Sequence, residues 1–71
     1  MKILEGENLT EEAIGCECYH DQTEASIKMK SGEVIGVYLT RENGTVTFEY
    51  CDEDGSYCIT EILDDIESIS I

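Results

Sequence analysis

Asn43-Gly44 stands between two runs of alternating apolar residues, one ending at Arg41 and the other starting at Val46. An Asn-Gly pair tolerates the positive φ angles of a two-residue type I′ turn, and such a turn fixes the pairing of the strands it joins. Counting outward from it sets Arg41 opposite Val46, Leu39 opposite Phe48 and Val37 opposite Tyr50. Alternation then places Ile35, Val37, Leu39, Val46, Phe48 and Tyr50 on one face, the expected core.

The rest of the chain is organised around that hairpin. Asp54-Gly55 predicts a second two-residue hairpin, with Ile59 opposite Tyr50, Asp52 opposite Tyr57 and Cys51 opposite Cys58 on the other face. Leu63 then meets Val46. In that register Glu61 falls beside Phe48, so a bulge or strand end is expected near Thr60 to Ile62. Ahead of the first hairpin, Ala25, Ile27 and Met29 alternate with polar residues as a first strand. They join the core face if Met29 pairs with Ile35 around an odd turn, Ser31-Gly32-Glu33. Leu63 to Ile66 reads as a 3₁₀ turn, and Ile69 and Ile71 alternate in a closing strand. Near the start, Thr10 is placed to cap a short helix whose first-turn acids, Glu11 and Glu12, complement its dipole.

The expected fold is therefore mostly β, a five-stranded curled antiparallel sheet or small barrel with a short N-terminal helix. With 71 residues and no proline or low-complexity linker, the chain is read as one domain, residues 1–22 forming the helix and an extended segment and 23–71 the β unit.

Met29-Lys30-Ser31-Gly32-Glu33-Val34-Ile35-Gly36-Val37 resembles the first strands of Sm-like barrels, in which a glycine lets the second strand bend sharply. The stretch from Tyr57 to Ile69 is similar to the end of the WYL ligand-sensing domain and of the Rho-binding antitermination proteins, both Sm-like. The resemblance implies a small barrel. The arginines and aromatic pair of the WYL ligand pocket are missing, as are the loop residues with which Sm proteins hold uridine-rich RNA. Rho-binding antitermination proteins, acidic barrels that block an RNA-binding protein, fit better.

Charge points the same way. Seventeen acidic residues against four basic ones give a formal net charge of −13 and a pI near 4.1. A folded chain of this mass has roughly 4,400 Å² of surface, so each net charge occupies on the order of 350 Å². Nucleic acid and anionic membrane are repelled by such a surface, and a basic partner is steered in. The chain has no apolar run long enough to span a bilayer, and its start, Met1 to Glu7, turns acidic too soon for a signal peptide, so a cytoplasmic location is expected. In that compartment the glycosylation patterns at Asn8 and Asn43 carry no meaning.

Several constellations have residue types that can carry chemistry. Cys16, Cys18 and His20 alternate and would converge on zinc from one side of an extended segment, with Cys51 and Cys58 completing the set. The spacing is not a common zinc knuckle, and the four thiols are read as reduced, with no metal or other cofactor. Asp52-Glu53-Asp54 lacks the glycine placement and distal glutamate of a calcium loop, and it and Asp64-Asp65-x-Glu67 are read as a charged hairpin tip and a solvated turn. His20 alone offers a catalytic base, and no phosphate-binding glycine loop exists, so no enzymatic activity is expected.

The functional expectation is an acidic binding protein that blocks the basic nucleic-acid-binding surface of a target protein. Carboxylates of Asp52, Glu53, Asp54, Asp64, Asp65 and Glu67 stand in for phosphates in this reading. Phage anti-defence factors such as anti-CRISPR proteins work in this way. The alternative is an oligomer of barrels that sequesters or senses a small molecule between subunits.

Overall fold

The computed structural model describes residues 2–18 and 22–71. Six strands form one antiparallel sheet: β1 (Ile3–Glu5), β2 (Thr23–Met29), β3 (Val34–Glu42), β4 (Thr45–Tyr50), β5 (Tyr57–Cys58) and β6 (Ile66–Ser70). Their order is β1-β6-β2-β3-β4-β5. The sheet is curled but unclosed, and it carries a strand more than expected. That strand, β1, buries only Leu4, which faces Ile69 of β6.

The β3–β4 hairpin has the expected register, with Leu39 opposite Phe48, Val37 opposite Tyr50 and Arg41 opposite Val46. Asn43 and Gly44 both take positive φ, 53° and 83°, which is why this pair and few others close the turn. Val37, Leu39, Val46 and Phe48 are buried, whereas Ile35 and Tyr50 at the far end of the hairpin are half-buried. The core also takes Ile14, Ala25, Ile27, Ile59, Ile66 and Ile69.

Two turns differ from expectation by even numbers of residues, which changes neighbours but preserves faces. The Met29 amide donates to the Glu33 carbonyl at 2.8 Å, so the β2–β3 turn is Lys30-Ser31-Gly32, and Ile27 rather than Met29 faces Ile35. At Asp54-Gly55 no two-residue hairpin forms. Residues 51–56 make a longer loop, Tyr57 lies opposite Phe48, and Cys58 lies opposite Thr47 rather than Cys51. The gain is aromatic: Tyr57 packs on Phe48 and Tyr50 at ring-centroid distances of 5.5 and 5.7 Å. β5 stops at Cys58, two residues ahead of the stretch from Thr60 to Ile62 where a bulge or strand end was expected. A 3₁₀ turn at Ile59–Glu61 then drops Ile59 into the core, and Glu61 Oε2 accepts the Cys58 amide at 3.2 Å.

A second 3₁₀ turn, Leu63–Asp65, leads into β6 as the sequence suggested. β6 contains a bulge: Met29 pairs with Ile66 while Lys28 pairs with Ser68, leaving Glu67 as the extra residue. Ile66 and Ile69 are thereby both buried despite their odd separation, and Ile71 is half-buried.

Helix α1 (Glu11–Cys16) is held at both ends. The Thr10 hydroxyl accepts the Ala13 amide at 3.1 Å as its N-cap, as expected, and Glu11 Oε2 accepts the Val46 amide at 3.0 Å. At the other end Arg41 Nη1 donates to the Gly15 carbonyl at 3.1 Å. A Cβ on Gly15 would sit 3.1 Å from Arg41 Cδ, so the bare backbone leaves room for the Arg41 side chain against the helix.

Candidate partner-binding surface

The β4–β5 loop is an exposed, strongly charged feature of the fold. Every residue from Cys51 to Cys58 is exposed, including Asp52, Glu53 and Asp54. One ladder bond, from the Cys51 amide to the Gly36 carbonyl at 3.2 Å, continues the hairpin past β4 before the chain turns away. The loop thus stands at the open end of the β3–β4 hairpin with a depression on either side. One, of about 300 Å³, is lined by Gln22, Tyr38, Glu49, Tyr50 and Cys51 together with Asp52, Glu53 and Asp54. The other, of about 490 Å³, is lined by Glu33, Ile35, Tyr50, Asp52 and Glu53. Lysine and arginine are absent from both linings.

The second acidic cluster is placed elsewhere and is differently compensated. Asp64 and Glu67 line a depression of about 550 Å³ with Gly6, Leu9, Lys30, Leu63 and Ile66. Asp65 is exposed, and its carbonyl accepts the Lys30 amide at 2.8 Å. Glu67 forms an ion pair with Lys28 at 3.1 Å, both side chains being about half exposed. Such a surface pair contributes little to stability, roughly 0–1 kcal/mol, but it places a cation beside the carboxylate. The six candidate carboxylates are therefore not brought to one site. Asp52, Glu53 and Asp54 stand together among further acids, and Asp64, Asp65 and Glu67 stand among lysines.

Three residues beside the first cluster, Glu33, Glu49 and Tyr38, were not singled out from the sequence. The hairpin register already places Tyr38 opposite Glu49, so part of this setting was available from the Asn43-Gly44 count. Glu33 depends on the β2–β3 turn. The Tyr38 hydroxyl is held above its usual range by its electrostatic interaction and hydrogen bond with the Cys51 side chain, and by Glu24 and desolvation.

Cys16, Cys18, Cys51 and Cys58 are free thiols. The extended arrangement imagined for Cys16-Glu17-Cys18 does not occur. Cys16 ends the helix exposed, and Cys18 turns inward and donates its thiol to the Ile14 carbonyl at 3.3 Å. His20 lies outside the described residues. Among the described residues no group of three or more His, Cys, Asp or Glu side chains is arranged to hold a metal ion. No helix among them is long and apolar enough to cross a membrane.

No family model matches the chain, and neither a curated protein nor a solved structure does.

Proposed function

We propose that this chain is a non-enzymatic acidic binding protein that occupies the basic nucleic-acid-binding surface of a target protein. The observation that carries this reading is the β4–β5 loop, whose exposed carboxylates border two depressions without a lysine or arginine in either lining. Exposed like charges of this density add nothing to folding and repel one another. A cationic partner removes that repulsion, and arginine or lysine side chains answer the carboxylates with charge-assisted hydrogen bonds. The overall charge of −13 adds long-range steering toward the same class of surface. Rho-binding antitermination proteins and phage anti-defence factors, anti-CRISPR proteins among them, form the mechanistic class to which this reading assigns the chain. A cytoplasmic site of action belongs with this reading.

The oligomeric ligand-binding alternative has less support. The two free sheet edges, β1 and β5, are three and two residues long, and repulsion between copies opposes their pairing.

The experiment is capture of the partner from the native host, followed by calorimetry with Asp52→Asn/Asp54→Asn and, separately, Asp64→Asn/Asp65→Asn. The first double mutant is expected to bind at least about tenfold more weakly at low salt, a loss of about 1.4 kcal/mol, with its melting temperature unchanged or raised. The second is expected to lose less, because Lys28 and Lys30 already neutralise its surroundings. Native affinity in both mutants at low and high salt rules the mechanism out.

A further inference from the structure

The depression between Glu33 and the β4–β5 loop differs from a mere run of acids in having an apolar, aromatic floor. Ile35 and Tyr50 line it, and Glu33, Asp52 and Glu53 border it. Tyr50 is not free to leave. Its ring packs edge-on to Phe48 at 5.5 Å and 88°, and edge-on to Tyr57 at 5.7 Å and 65°. Phe48 is itself buried at 2 % exposure, so the aromatic floor is anchored to the core.

We propose that this depression receives an arginine side chain of the basic partner, the guanidinium stacking on Tyr50 and pairing with Asp52 and Glu53. The proposal rests on the charge-mimic reading above and gives its anchor. Charge complementarity selects a cation, since among the described residues the lining holds three carboxylates and no lysine or arginine. The aromatic floor selects among cations. A planar, weakly hydrated guanidinium stacks on an aromatic face while its fork of donors remains free for carboxylates, whereas the compact, strongly hydrated ammonium of lysine does less of both. The depression beside Asp64 and Glu67 offers neither feature: its apolar lining is Leu9, Leu63 and Ile66, and Lys30 is part of it.

The test uses the full chain and two probes, a short oligoarginine and an oligolysine peptide of equal length and charge, titrated at low salt and followed by amide NMR shifts. Oligoarginine is expected to bind more tightly, with its largest shifts at Ile35, Tyr50, Asp52 and Glu53. Tyr50→Leu, which leaves net charge unchanged, is expected to weaken oligoarginine at least about fivefold, oligolysine by less than about twofold, and Tyr50→Phe to bind as the native chain does. Asp52→Asn/Glu53→Gln changes exposed groups only and removes the same charge as Asp64→Asn/Asp65→Asn. The first double mutant is expected to lose more oligoarginine affinity than the second. Equal losses in the two, or shifts centred on residues 64–67, overturn the arginine site while leaving salt-dependent peptide binding, and so the charge-mimic reading, in place. Absence of binding by either peptide at low salt overturns both.

Discussion

Cys18 sits under the end of α1 with its thiol proton committed to the Ile14 carbonyl, and burial pushes its pKa above the ordinary 9.0, with Arg41 opposing and Glu17 adding to the effect. The folded chain therefore keeps a proton that the unfolded chain loses at the ordinary value. Stability contributed by this group is present below pH 9.0 and declines as pH rises past it toward the raised value. Thermal melts across this range are expected to show the decline, and Cys18→Ala to reduce its slope. Thiol titration of the native chain with a disulfide reagent is expected to find Cys16, Cys51 and Cys58 fast and Cys18 slow, because only Cys18 is buried. Thr10 offers a second check at this scale. Thr10→Ala removes the oxygen that accepts the Ala13 amide and is expected to cost about 1 kcal/mol in denaturant unfolding. The cap was legible in the sequence because Thr10 immediately precedes two acids and an apolar pair. The inward turn of Cys18 was not, because it depends on where a helix of only six residues stops.

Among the elements, legibility followed how locally each pairing is determined. Asn43-Gly44 fixes a turn within itself, and the β3–β4 register came out residue for residue. Asp54-Gly55 carries the same kind of signal, but its two-residue turn would have set Glu61 beside Phe48 and Tyr57 beside Asp52. The longer loop exchanges those contacts for Tyr57 on Phe48 and Tyr50. Packing outweighed turn preference there. The bulge at Glu67 and the strand β1 were illegible because both exist only through pairing between distant parts of the chain, β6 with β2 and β1 with β6. Arg41 shows a long-range contact that can be tested alone. Arg41→Ala removes the donor to Gly15 and the side chain packed on the helix, and is expected to cost roughly 1–2 kcal/mol. Hydrogen exchange is expected to quicken in α1 while the β3–β4 ladder stays protected.

At the scale of the whole molecule, the charge of −13 was plain from composition, and so were the two acidic clusters. Their inequality was not. It arises because the β2–β6 pairing carries Lys28 to Glu67, and the neighbouring turn brings Lys30 to the Asp64 depression, whereas among the described residues no lysine or arginine lines either side of the β4–β5 loop. Self-repulsion on this scale also makes the fold salt-sensitive. Raising ionic strength until the Debye length falls well below ~10 Å is expected to raise the melting temperature, and to weaken partner binding over the same range. The opposite signs separate a charge that opposes folding from a charge that serves binding. The most direct measurement is competition on the captured partner, loaded with a fluorescent nucleic acid and titrated with this chain. Stoichiometric displacement by the native chain is expected, with at least about tenfold less effective displacement by Asp52→Asn/Asp54→Asn. A partner that holds nucleic acid and this chain at the same time, with anisotropy unchanged at saturation, would contradict it.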